Sequence, residues 1–253
     1  MKKIKNPLIL LALGATAICG LAAICSNQPQ KVDASPHSSN FDTYDWRNYS
    51  GSYYNSITNS LTDGLNGTLR ETLSSFIEPA GWYTYSSSGE DHLSTVLQKA
   101  DEDPTNSSNM IYLYTRDSVK KNPAESWNRE HVWPQNLSNG CWGKTKAGTD
   151  ILHIRPTYNK TNNERDNDKY GTLTTGSLVY EGMPYGYEVG STFCPLDSVK
   201  GDVARICMYV WVAYKNEYGN IPPITNVFES YDTLLEWHTL DEPDMMEANR
   251  NDY

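Results

Sequence analysis

Trp127-Asn128-Arg129-Glu130-His131-Val132-Trp133-Pro134 sets a carboxylate beside an imidazole, flanked by an arginine and two tryptophans. Neighbours in a regular strand face opposite sides, so Glu130 and His131 share a site only at a strand end or a bulge. Residues 127–133 read as a strand or a strand end. A second polar cluster, Asp150-Ile-Leu-His153-Ile-Arg155-Pro156, leads into residues 159–167. There the pattern predicts a short strand over 151–154 ended by Pro156, then a helix over 159–169 closed by Tyr170-Gly171. On that helix Asn159, Asn162, Asn163 and Asp166 fall at i, i+3, i+4 and i+7, on one face.

Together the two clusters hold what phosphodiester hydrolysis requires: a base for water, a cation for developing charge, and a proton for the leaving oxygen. His131 accepts a proton near neutral pH. Glu130 is a hard oxygen ligand suited to Mg²⁺, which keeps several waters and takes few protein ligands. An amide oxygen from Asn162 or Asn163 would complete the site. Arg165 and Arg155 are candidates to hold the phosphate through forked hydrogen bonds. Arg129 and Asn163 are candidate substrate contacts. His153 reads as structural, Trp127 and Trp133 as packing residues. Asp101-Glu-Asp103 before Pro104 reads as a helix terminator, and Asp202 and Arg205 as local stabilisers of their own helix or a nearby loop.

Working outward, the 253 residues suffice for one large domain or two small ones. Only 38% are hydrophobic, but 18 tyrosines and 7 tryptophans add large burial. No repeat or linker is visible, so one domain from about 40 to 253 is expected. Helices are predicted over 68–77, 91–99, 231–240 and onward from 241–243. The best amphipathic pattern covers 200–218, with Val203, Ile206, Cys207, Val210 and Tyr214 on one stripe and Gly219 as terminator. Strands are predicted over 110–114, 177–180 and 188–192, and a loop over 136–149.

The N-terminus reads as an export signal: Lys2, Lys3 and Lys5, an apolar run over 7–25, and a small-x-small site at Val32-Asp33-Ala34. An uncleaved anchor is the alternative. Cleavage after Ala34 leaves Cys141, Cys194 and Cys207, hence at most one internal disulfide, with Cys207 expected as a buried thiol. It also leaves 17 basic against 30 acidic residues. Such a surface argues against tight non-specific nucleic-acid binding. Residues 116–170 are the exception, with ten basic against seven acidic residues, as a local phosphate site requires.

The segments Asn128-Arg-Glu-His-Val-Trp-Pro-Gln135, Asp150-Ile-Leu-His-Ile-Arg-Pro156 and Asn162-Asn-Glu-Arg-Asp-Asn167 closely resemble the bacterial extracellular endonuclease I family. The likeness extends over roughly residues 50–253. It implies an α+β fold with a ββα-metal (His-Me finger) nuclease core, embedded here in a largely helical single domain. It further implies His131 as general base, Glu130 and Asn162 as ligands of one Mg²⁺ (Mn²⁺ or Ca²⁺ as substitutes), and Arg165 or Arg155 on the scissile phosphate. The implied substrates are DNA and RNA without sequence specificity, since no base-reading element is visible. A secreted or envelope location, a monomer and no stable protein partner are expected. Members continue past the position of Tyr253 through another Gln-Gly-Asn-Arg-Asn segment, which implies truncation or loss of that part here. The rival reading is an exported carbohydrate- or surface-binding module using tyrosines as platforms; exposed aromatics would favour it.

Overall fold

The computed structural model describes residues 69–77, 82–85, 90, 92–121 and 127–252. The export signal, the Tyr/Asn/Ser-rich stretch and the starts of the first two predicted helices lie outside the described residues. In chain order come helix α1 (Leu69–Phe76), helix α2 (Leu93–Ala100), then strands β1 (Glu102–Asp103), β2 (Asn106–Ile111) and β3 (Ser118–Lys120). These three form an antiparallel sheet in order β1-β2-β3. Met110 and Ile111 end β2 rather than open a strand. Tyr112 and Tyr114, with Leu113, pass into the turn that follows as fully buried core residues.

Strand β4 (Trp127–His131) pairs antiparallel with β5 (Ile154–Tyr158) in an unbroken register that sets Glu130 opposite Arg155 and His131 opposite Ile154. The chain then enters helix α3 (Asn159–Arg165) directly. Pro156 does not end the second strand; it lies within it. A two-stranded ribbon leaves one edge of each strand unpaired, and there the missing N–H of proline costs nothing. The Pro156 carbonyl still accepts from Leu113 N–H at 3.0 Å. Helix α3 is shorter than expected because Asp166 takes φ 43°, which turns the chain out of the helix. Asp166 therefore leaves the face that carries Asn159, Asn162 and Asn163, and Lys169–Tyr170 become a strand instead of a helix end.

That strand, β6, joins β7 (Ser177–Tyr180), β8 (Met183–Val189) and β9 (Thr192–Pro195) in the order β6-β9-β8-β7, with only β6 and β9 parallel. Helix α4 (Asp197–Ala213) follows, then α5 (Tyr231–Leu240) and α6 (Met245–Asp252). Helix α5 matches its predicted span; the Ser230 hydroxyl caps it by accepting from Thr233 N–H at 3.0 Å. The architecture is α+β, with nine strands among the described residues beside the helices.

Helix α4 departs most from its expected character. Fourteen of its residues are buried, Lys200, Asp202 and Arg205 among them. It is a central helix, not a one-faced surface helix. At Gly201 an added Cβ would lie 1.9 Å from the Asp241 carbonyl oxygen, so only glycine lets α4 pass this close to the end of α5. The polar residues of α4 survive burial through distant partners, not local ones. Arg205 makes two hydrogen bonds of 2.6 Å to Glu247 on α6 and one of 2.6 Å to the Asp241 carbonyl. Asp202 pairs with Arg116 and lies 3.7 Å from Arg155. Arg250 on α6 pairs with Asp101 and bonds the carbonyls of Ile151 and Ile154. Asp101 thus ends α2 as expected and also anchors the far end of the chain.

Candidate active site

His131 is the last residue of β4, so the adjacent pair does sit at a strand end, with no bulge in the ribbon. The backbone can turn after His131, which lets two neighbouring side chains serve one locality. Helix α3 packs on both β4 and β5 and brings Arg165 under the ribbon.

The Glu130 side chain is 3% exposed. Its Oε1 accepts a hydrogen bond from the Tyr114 hydroxyl at 2.7 Å and faces Arg165 Nε at 3.3 Å. Burial pushes the Glu130 carboxyl above its ordinary range, against the pull of Arg165 and the Tyr114 hydroxyl. Burial also works to lower Arg165, but Tyr170, Tyr114 and Glu130 outweigh it, and the guanidinium stays charged. The rest of Arg165 is spent on positioning. It donates to the Val132 carbonyl at 2.9 Å and the Asp166 carbonyl at 2.8 Å, and its Cζ lies 4.5 Å over the Tyr170 ring.

Among the described residues, Glu130 Oε2 has no hydrogen-bond partner, nor has the Asn162 carboxamide. No group of three or more His, Cys, Asp or Glu side chains converges there to hold a metal. A carboxylate oxygen and an amide oxygen are hard donors of the kind Mg²⁺ takes while keeping most of its waters. A buried carboxylate with one unfilled oxygen and a raised pKa is stabilised by an added cation. The donor set on β4 and α3 fits such an ion.

As a whole residue His131 is partly exposed, and burial of its ring, the largest influence, pulls its pKa down to about 4, opposed by hydrogen bonding to the Gly148 and Gly143 backbone. The imidazole is neutral at pH 7. Gln135 fixes its tautomer. Its Nε2 donates to the Gly143 carbonyl at 2.9 Å and lies 3.1 Å from His131 Nε2. An amide nitrogen only donates, so His131 Nε2 carries the lone pair and Nδ1 the proton. The loop over 136–149 contains two 3-10 turns, Gln135–Ser138 and Lys146–Thr149, and folds tightly on itself. A Cβ at Gly148 would lie 1.7 Å from the Gly143 carbonyl oxygen. This close approach puts both backbones beside His131, and no sequence pattern announced it.

His153 is buried and satisfied, as a structural residue should be. Its Nε2 accepts from Trp133 N–H at 3.1 Å and its Nδ1 donates to the Ala147 carbonyl at 2.6 Å. It pins the 143–149 loop to the end of β4. Burial pulls its pKa to about 3.

The other candidates separate. Arg155 is 3% exposed, 3.6 Å from Asp101 and 3.7 Å from Asp202. No ion pair joins it to Glu130, its neighbour across the ribbon. Arg129 donates to the Tyr85 carbonyl at 2.9 Å and stacks on the Tyr85 ring at 3.9 Å. Asn163 is exposed on α3 and Asn162 partly exposed. Of the basic residues over 116–170, Arg116, Arg155 and Arg165 are thus interior. The groups that sequence spacing missed are Tyr85, whose ring centroid lies 6.3 Å from that of His131, Lys144, 5.3 Å from the Tyr85 ring, and Lys146, 5.7 Å from the Trp82 ring. Cys141, Cys194 and Cys207 are all buried free thiols. Tyr112, Tyr114, Tyr170, Tyr185, Tyr209 and Tyr214 are fully buried, which counts against the tyrosine-platform reading.

Residues 57–253 match the family described as Endonuclease I. The chain is 36% identical over 200 residues to an extracellular ribonuclease of Bacillus subtilis (strain 168), covering 73% of this chain and 66% of that protein. It is 35% identical over 175 residues to an extracellular ribonuclease of Bacillus amyloliquefaciens, covering 62% of this chain and 57% of that one. The chain therefore spans less than two thirds of either relative's own length. With the match extending over most of its residues, the chain belongs to the Endonuclease I family.

Proposed function

We propose that this chain is a secreted, Mg²⁺-dependent endonuclease that hydrolyses phosphodiester bonds of DNA and RNA without sequence specificity. The observation that carries the reading is the neutral imidazole of the partly exposed His131 at the end of β4, beside a buried carboxylate with one oxygen unfilled. His131 takes the proton from the attacking water through its Nε2 lone pair, after Gln135 yields that position. Glu130 and Asn162 hold Mg²⁺, with Mn²⁺ or Ca²⁺ as substitutes. Bound there, the ion neutralises charge developing on the phosphate. Arg165 positions the Glu130 carboxylate, and its burial gives it that task in place of direct substrate contact. Arg155 fixes β5 from behind. Arg129 and Asn163 face the side from which nucleic acid arrives.

Family membership supports hydrolysis of nucleic acid, and the names of the two relatives support RNA as a substrate and export from the cell. The N-terminal signal pattern agrees with export. A nuclease domain over about 40–253 acting as a monomer completes the proposal. Digestion of plasmid DNA and total RNA by the purified protein tests it. Both are expected to be degraded with Mg²⁺ and spared when EDTA is present; cleavage that ignores EDTA would remove the metal from the proposal.

A further inference from the structure

Beside His131 lies an open groove of about 710 Å³ lined by Trp82, Tyr85, Lys144, Lys146 and Thr149, among others. Trp82 is 52% exposed, an unusual state for the largest apolar side chain. Its indole N–H donates to the Tyr214 hydroxyl at 3.1 Å, and that hydroxyl donates to the buried Asp150 carboxylate at 2.7 Å. The ring is therefore held in place from behind while its surface faces solvent. The ring of Tyr85 is already covered by Arg129 at 3.9 Å. Trp82 is the open aromatic platform.

The cations of the groove differ in their commitments. Lys146 pairs with Glu217 and approaches the Trp82 ring at 5.7 Å. Lys144 is exposed, lies 5.3 Å from the Tyr85 ring, and meets no carboxylate among the described residues. In a chain of net charge -10, a groove with two lysines and a stacked arginine is a local reversal of sign. An exposed ring beside lysines suits a polyanion whose bases have free faces. A duplex offers no such faces, since its bases are stacked on one another. Unpaired nucleic acid does.

We propose that this groove is a subsite for an unpaired segment of the substrate strand, with one base stacked on Trp82 and the adjoining phosphate held by Lys144. The inference rests on the nuclease reading and adds a preference to it: strands with unpaired bases are gripped beyond the scissile phosphate, duplexes only at it. The 6.3 Å between the Tyr85 and His131 rings makes groove and reaction centre continuous.

The test is binding in full-length protein carrying His131→Ala, which suppresses cleavage, read by anisotropy of a labelled oligothymidylate and of a labelled duplex. Adding Trp82→Ala is expected to weaken single-strand binding by about tenfold and leave duplex binding unchanged. Equal loss on both probes, or no loss on the single strand, would overturn the subsite. Trp82→Phe keeps a ring but loses the bond to Tyr214. It is expected to retain most of the single-strand affinity, and affinity as low as that of Trp82→Ala would assign the effect to the lost bond and overturn stacking. Lys144→Gln is expected to reduce the single-strand salt slope by about 0.7, one phosphate contact; an unchanged slope would remove Lys144. Cleavage by protein with His131 intact is measured separately, so failure of the nuclease reading and failure of the subsite give different results.

Discussion

Glu130 and Arg155 stand opposite each other on the β4–β5 ribbon, are equally buried at 3% exposure, and lead into regions with opposite designs. Behind Arg155, charges lie among internal partners: Arg116 pairs with Asp202, Arg250 with Asp101 and Arg205 with Glu247, while Arg155 lies 3.6 Å from Asp101 and 3.7 Å from Asp202 with its Nε making no hydrogen bond. Around Glu130, one carboxylate oxygen is engaged by Tyr114 and Arg165 and the other is left open, next to a histidine that water can reach. Removing a charge from water costs several kcal/mol, and internal pairing offsets that only when it is thorough. The Arg155 side spends that pairing on joining α2, α4 and α6. The Glu130 side leaves room for a partner that comes and goes.

If the contrast holds, substitutions on the two sides part stability from activity. His131→Ala is expected to lower plasmid cleavage by about 10²- to 10⁴-fold with no change in Tm; a variant that cleaves at the wild-type rate would remove His131 as the base. Arg250→Ala leaves the buried Asp101 with Arg155 alone, at 3.6 Å, and is expected to cost about 3–5 kcal/mol in urea denaturation. A loss below about 1 kcal/mol, the value of a surface ion pair, would show that this region is not closed as described.

The smallest expected effect is on pH dependence and comes from His153. Its pKa of about 3 in the fold lies below the ordinary 6.5. As pH falls below 6.5 the unfolded chain binds the proton first, so stability present above that pH is lost down to about pH 3. The slope is about 1.4 kcal/mol per pH unit. His153→Asn is expected to start less stable at pH 7 and to lose less between pH 7 and pH 5. An identical slope in the variant would assign acid sensitivity to other groups.

The strand end at His131 and the span of α5 were legible because each depends on local pattern: adjacent polar residues in one case, apolar spacing in the other. The end of β5 was not. Pro156 reads as a terminator unless one knows that its strand has a single partner. Arg155 and Arg165 read as phosphate contacts because guanidinium groups are usually exposed, and their burial depends on Asp101, Asp202 and Glu130 arriving from other segments. The same holds for Asp202 and Arg205: Asp202 meets Arg116 and, on β5, Arg155, and Arg205 meets Glu247 on α6. Trp82, Tyr85, Lys144 and Lys146 meet only through folding, and no spacing links residues that far apart.

Plasmid cleavage rate against Mg²⁺ concentration, compared between the wild type and Glu130→Gln, tests most directly whether the open carboxylate oxygen holds the metal. Glutamine keeps the shape and an amide oxygen but removes the charge. The expected result, read at a temperature where both proteins are folded, is a saturating wild-type curve and, in the variant, half-saturation moved upward by about tenfold or more. Superimposable curves would contradict Glu130 as a metal ligand.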